Sequence, residues 1–148
     1  MKQDLITAFE TDITKLIAEV GAFDSEEAFW SKGNGVPNSP GNLTLHLMGN
    51  LNHYIGAKLG ASGYIRERPL EFSSGPLSLS LISQRLEQTR EVVVRSINGL
   101  SDADIAADYP NDPGDDTRTV GAELVRILTH FNYHLGQINY HRRMTSDR

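Results

Sequence analysis

The sequence predicts an all-α protein, a four-helix bundle with one long crossover connection. Three observations carry that expectation. Four long segments place apolar residues in steps of three and four, the period of a helix. No segment keeps the alternation of a sheet strand for more than a few residues. The intervening stretches are rich in glycine, proline, serine and aspartate, as loops between packed helices are.

The first helix is expected over about residues 2–20, where Leu5, Phe9, Ile13, Leu16, Ile17 and Val20 form one stripe and Gly21 is a plausible stop. Asp24-Ser25-Glu26-Glu27 begins a short turn that holds Phe29 and Trp30, which close one end of the core. Residues 31–40 read as loop. Ser39-Pro40 opens the second helix, because a polar cap followed by proline loses no hydrogen bond that the first turn needs. Leu43, Leu47, Met48, Leu51, Tyr54, Ile55 and Leu59 continue it to about Gly60. Residues 61–76, with Pro69, Gly75 and Pro76, read as a connection. It is longer than the roughly 2–8 residues that usually join antiparallel neighbours, which suggests that it crosses the bundle. The third helix runs from Ser78 or Ser80 to about Asn98 on Ile82, Leu86, Thr89, Val93 and Ile97, and Asn98-Gly99 ends it. Ser101 to Asp104 caps a short turn. Residues 108–118 are surface loop; the acidic part, residues 112–116, lacks the spaced oxygens and closing glutamate of a calcium loop. The last helix spans about residues 119–144, with Val120, Leu124, Ile127, Leu128, Phe131, Leu135 and Ile138 facing the core.

The chain of 148 residues fits one domain over residues 1–148, long enough to bury a core. A formal net charge of −5, with His141-Arg142-Arg143 as the only basic cluster, argues against nucleic acid, whose phosphates demand cationic surface. There is no cysteine, so disulfides, thiolate metal sites and cysteine nucleophiles are excluded. No stretch approaches the roughly 18 consecutive apolar residues of a membrane span. The first residues lead into an amphipathic pattern, so a cytoplasmic location is expected.

All five histidines fall in two of the helices. His130 and His134 are four apart, one turn on one face, where two imidazoles grip a single ion. The glutamate of the zinc-protease pattern His-Glu-x-x-His is absent; Phe131 stands there. On the second helix His46, Asn50 and His53 share a stripe, and His46 borders the Leu43/Leu47 face. A third nitrogen from a facing helix would complete a three-imidazole site with an open position, the arrangement of catalytic metal centres. Imidazole suits zinc, copper, iron and nickel alike. The other reading is that each histidine is neutral and hydrogen-bonded in or near the core. His141, beside two arginines, is expected to be exposed at the helix end. His53 reads as a supporting group, a proton shuttle, a fourth ligand or polar surface.

Asn42-Leu43-Thr44-Leu45-His46-Leu47 and His130-Phe131-Asn132-Tyr133-His134-Leu135-Gly136-Gln137-Ile138 resemble the ligand motifs of the DinB family (YfiT-like metalloenzymes). The second, His-x-x-x-His-x-Gly-Gln, is the more specific. Residues 38–56 and 63–68 resemble one uncharacterised branch. The resemblance implies a bundle with non-sequential helix order, often dimeric. It also implies a divalent metal, nickel, zinc or iron, held by His46, His130 and His134. Better-known relatives are transferases and isomerases that use bacillithiol, mycothiol or glutathione; fold alone does not transfer their activities.

The expected function is therefore a divalent-metal-dependent enzyme on a small molecule, a thiol-dependent S-transferase or a hydrolase. His53 or Gln137 would assist catalysis. Arg66 in the connection would fix an anionic substrate group through paired hydrogen bonds, or lie solvated or at a dimer contact. Tyr133 and Tyr54 would line the pocket, or simply pack. Gly136 would let another helix approach. The expected partners are a small molecule, with a low-molecular-weight thiol as one class, and a second copy of the chain as a homodimer, with no nucleic acid and no membrane. The alternative is a non-catalytic dimeric metal-binding or stress-response module.

Overall fold

Serine hydroxyls start four of the helices. The computed structural model describes residues 1–33 and 35–145. The elements are α1 (Lys2–Gly21), α2 (Glu26–Trp30), α3 (Pro40–Leu51), a π-helical segment (Asn52–Ala57), α4 (Lys58–Gly60), α5 (Arg68–Ser73), α6 (Leu79–Asn98), α7 (Asp102–Ala106) and α8 (Val120–Thr145). Ser25, Ser39, Ser78 and Ser101 cap α2, α3, α6 and α7, each accepting from a first-turn backbone N–H. Each such cap is worth about 1 kcal/mol. There is no strand among the described residues, only an isolated bridge between Asp108 and Thr119. The all-α expectation holds, and none of the described helices is long and apolar enough to cross a membrane.

The second helix is one continuous rod with a fault in it. After α3 the chain widens into the π segment, where the Lys58 N–H reaches the His53 carbonyl five residues back. Nothing in the apolar spacing announces that change. The Asn52 amide donates to the Met48 carbonyl and to Thr89 Oγ1, both at 2.9 Å, and so pins the fault to α6.

Pairwise contacts fix the helix directions. Lys2 Nζ, at the start of α1, reaches the carbonyls of Asn98, the last residue of α6, and of Leu100 just beyond it, so these two helices are antiparallel. Asn132 and Asn139 of α8 donate to Asp12 and Glu19 of α1 in the same order, so those two are parallel. Asn52, Gly56 and Gly60 meet Thr89, Val92 and Ser96 in register, so the second helix runs parallel to α6. Parallel neighbours that follow one another in the chain need a return path of about 1.5 Å per residue along the whole helix, roughly 30 Å. That is why the connection after Gly60 is long.

The connection is not bare loop. Pro69 sits in the first turn of α5, and α5 lies along α3. Proline there is a start signal as well as a breaker. Trp30 closes the lower end of this layer. Its indole N–H donates to the Leu77 carbonyl at 2.9 Å, and its ring fills the space where side chains at Gly41 and Gly75 would stand. Phe29 is buried and meets Phe23 and Trp30 edge-on, as expected for a core-closing pair. One continuous apolar cluster runs between the long helices, with Phe9, Ile13, Leu47, Leu86, Leu124 and Phe131 at its centre. Each such side chain contributes about 1.5–3 kcal/mol on burial.

Candidate metal centre

α3 and α8 face each other in opposite directions, and their contact brings three imidazoles together. His46 comes from α3; His130 and His134 come from successive turns of α8. One ring nitrogen from each lies within 4.8 Å of the other two. His46 Nε2 and His130 Nε2 are 3.2 Å apart. Two ligands about 2.0–2.1 Å from a tetrahedral ion stand roughly 3.3 Å apart, so that separation matches a shared ion.

The nitrogens that face away from this point are held in different ways. His46 Nδ1 donates to Glu71 Oε2 at 2.8 Å. The same carboxylate takes two hydrogen bonds from Arg66, Nε to Oε1 at 2.6 Å and a terminal guanidinium N–H to Oε2 at 3.0 Å. His46 and Glu71 are each only 6% exposed, so this chain of contacts is interior. α5 is fastened over α3 by Asn42, whose amide donates to the carbonyls of Glu71 and Ser74 and whose own oxygen is held by Ser39. Gly49 clears the space: a Cβ there would lie 2.0 Å from Glu71 Oε1. His134 Nδ1 donates to Gln137 Oε1 at 2.7 Å, within α8. His130 Nδ1 is buried with no hydrogen-bond partner among the described residues.

With Nδ1–H of His46 and His134 bonded to oxygen acceptors, Nε2 of each is the unprotonated nitrogen. Burial, against the pull of Glu71, holds His46 below the usual imidazole range. Burial and then the neighbouring imidazoles push His130 down to about 4. Neutral imidazoles with free lone pairs converging on one point are the donor set a borderline divalent cation takes, so the residues present fit such an ion.

The remaining candidates fall around this cluster. Gln137 is in place behind His134. Tyr133 meets the His134 ring edge-on but is 65% exposed. Arg66 makes the paired hydrogen bonds foreseen for it, but to Glu71 rather than to open space. His53 lies in the π segment, half-buried against the Tyr54 ring, outside the converging group. Burial, with Arg66 and Lys58 nearby, lowers its pKa. Tyr54 is flanked by the guanidinium groups of Arg66 and Arg126, each 5.7 Å from its ring. His141 departs from the expectation of an exposed helix end. Its ring packs against Gly33 and bonds to the Ser31 backbone, because the loop before α3 folds back onto α8. A cleft of about 770 Å³ opens between that loop and α8, lined by Leu43, Tyr133, His134, Gln137, Tyr140 and His141 among others.

Glu71 is the residue that sequence reasoning missed. Two faint signals point toward it. Pro69 followed by Glu71 is a helix-start pattern inside a segment read as connection. Gly49, in a helix interior three residues after His46, marks a close approach from outside the helix.

An all-helical protein with a buried-edge cluster of three histidines compatible with a metal site is the class that the fold and geometry define. The model of the DinB superfamily matches residues 8–138, and the chain belongs to that superfamily. No curated protein matches the chain.

Proposed function

We propose that the protein is a divalent-metal-dependent enzyme acting on a small molecule, of the thiol-dependent S-transferase or hydrolase class. The observation that carries this reading is the count and placement of ligands. His46, His130 and His134 converge, no fourth histidine, aspartate or glutamate joins them among the described residues, and His134 borders an open cleft. Three protein ligands with room beside them support substrate access, whereas a closed set of four supports a structural ion. When bound, a divalent ion of the nickel, zinc or iron type supplies Lewis acidity, which acidifies a thiol or water and polarises a substrate.

The chain's own residues have separable tasks in this reading. Glu71 and Gln137 keep His46 and His134 in the tautomer that presents Nε2. Gln137 lines the cleft, and its amide N–H2 would donate to a substrate oxygen there. Leu43, Tyr133 and Tyr140 take up the apolar part of the substrate. Arg66 is hydrogen-bonded to Glu71, and His53 lies outside the three converging histidines, so Gln137 is the better placed of the two assisting candidates. A homodimer acting in the cytoplasm completes the reading, and light scattering on the purified protein tests the dimer.

Cobalt(II)-loaded protein titrated with 2-mercaptoethanol tests the open position. A sulfur-to-cobalt charge-transfer band in the near ultraviolet is expected. A cobalt spectrum indifferent to thiol and to azide would mean a closed site, and the non-catalytic module would take its place.

A further inference from the structure

Two features beside His46 work against stability. Gly49 places a glycine inside a helix, where it costs more backbone entropy than any other residue. Arg66 and Glu71 form an ion pair whose side chains are 10% and 7% exposed. A buried pair of that kind is often replaceable by apolar residues with no loss of stability. Both features serve one contact. Gly49 is what lets the Glu71 carboxylate reach His46, and Arg66 is what compensates its charge there. No comparable support stands behind the other two histidines. Gln137 is neutral and lies on an exposed stretch of α8, and His130 Nδ1 has no partner among the described residues.

We infer that Glu71, admitted by Gly49 and compensated by Arg66, is a positioning residue that makes His46 the leading ligand of a graded three-histidine site. The inference rests on the metal-binding reading above. An anionic acceptor on Nδ1–H fixes the ring's orientation and tautomer and strengthens Nε2 as a donor; a neutral amide does so less. The connection that carries Arg66 and Glu71 therefore sets metal affinity from outside the two ligand helices.

Zinc affinity, measured by competition with a chromophoric chelator, decides it. The proteins are wild type, Glu71→Gln, the double variant Arg66→Met/Glu71→Leu, and Gln137→Leu. Glu71→Gln keeps an acceptor oxygen but not the charge. The double variant removes the whole ion pair and leaves no unpaired charge, but it also takes the acceptor from His46 Nδ1–H, so its metal-free melting temperature should stay close to that of wild type. Both Glu71 variants are expected to bind zinc more weakly by about 10–100-fold, and Gln137→Leu by no more than about tenfold. The d–d bands of the cobalt(II) forms should shift in the Glu71 variants, which a merely structural role would not cause. Zinc affinity within about threefold of wild type in either folded Glu71 variant overturns the inference. A wild type that binds no zinc removes the metal-binding reading itself, and the inference with it.

Discussion

The α3 side of the histidine cluster and its α8 side are built differently. On α8 everything is local. His130, His134 and Gln137 sit within eight residues of one helix, and the helical period alone brings them to one face. The rings are half-buried, and that of His134 borders an open cleft. On α3 the support comes from a distance. His46 is held by a carboxylate twenty-five residues away, delivered by a short helix that packs on α3 and is tied down by Asn42. The difference teaches that presenting a ligand needs only a helix, whereas holding its far nitrogen with a buried charge needs a second layer. On the proposed reading it also divides labour, with α8 facing the cleft and α3 anchoring.

The largest expected effect comes from the ligands themselves. His46→Ala and His134→Ala should each take zinc content from one ion per chain to none, read by elemental analysis after dialysis. If either variant keeps a full complement, its histidine is not a ligand and the two sides are not one site. Gly49→Ala attacks the α3 side alone. The added methyl drives Glu71 off His46, and overpacking costs about 1–3 kcal/mol in urea unfolding. Zinc affinity should fall together with stability. A Gly49→Ala protein unchanged in both would show that the carboxylate does not approach as described.

Acid should act on both sides next. An unfolded chain protonates His130 near the ordinary value of 6.5, whereas in the folded protein it resists until about 4. Between those values the unfolded state holds more protons, so stability is intact above pH 6.5 and is lost progressively as pH falls toward 4. His46 shifts in the same direction, moderated by Glu71. Thermal melts of metal-free protein from pH 7.5 to 4.5 should show a falling midpoint. A midpoint that rises on acidification would contradict the burial of these rings. The smallest effect is on the α8 side: Gln137→Leu should weaken zinc by roughly tenfold at most and leave the melt unchanged. A loss as large as that from Glu71→Gln would erase the contrast.

The local half of this molecule was legible in its sequence. Apolar spacing located α1, α6 and α8 to within a residue or two, and Ser39-Pro40 marked the start of α3. His130 and His134 declared themselves by spacing, and the family resemblance added His46. What escaped notice is long-range. The π segment arises where Asn52 bonds across to α6, and no period records that. α5 hides in a segment where proline and glycine spoke for loop. Glu71 carries no periodic or motif signal of its own, and only the folded chain shows it buried between Arg66 and His46. His141 was misjudged because its neighbours in sequence are charged, while its neighbours in space are Gly33 and Ser31.

Calorimetric titration of tag-free, metal-stripped protein with zinc bears most directly on the whole account. The prediction is a single binding step of one ion per chain that disappears in His130→Ala. Heat of binding absent from the wild type, or a step of unchanged stoichiometry in His130→Ala, would contradict it.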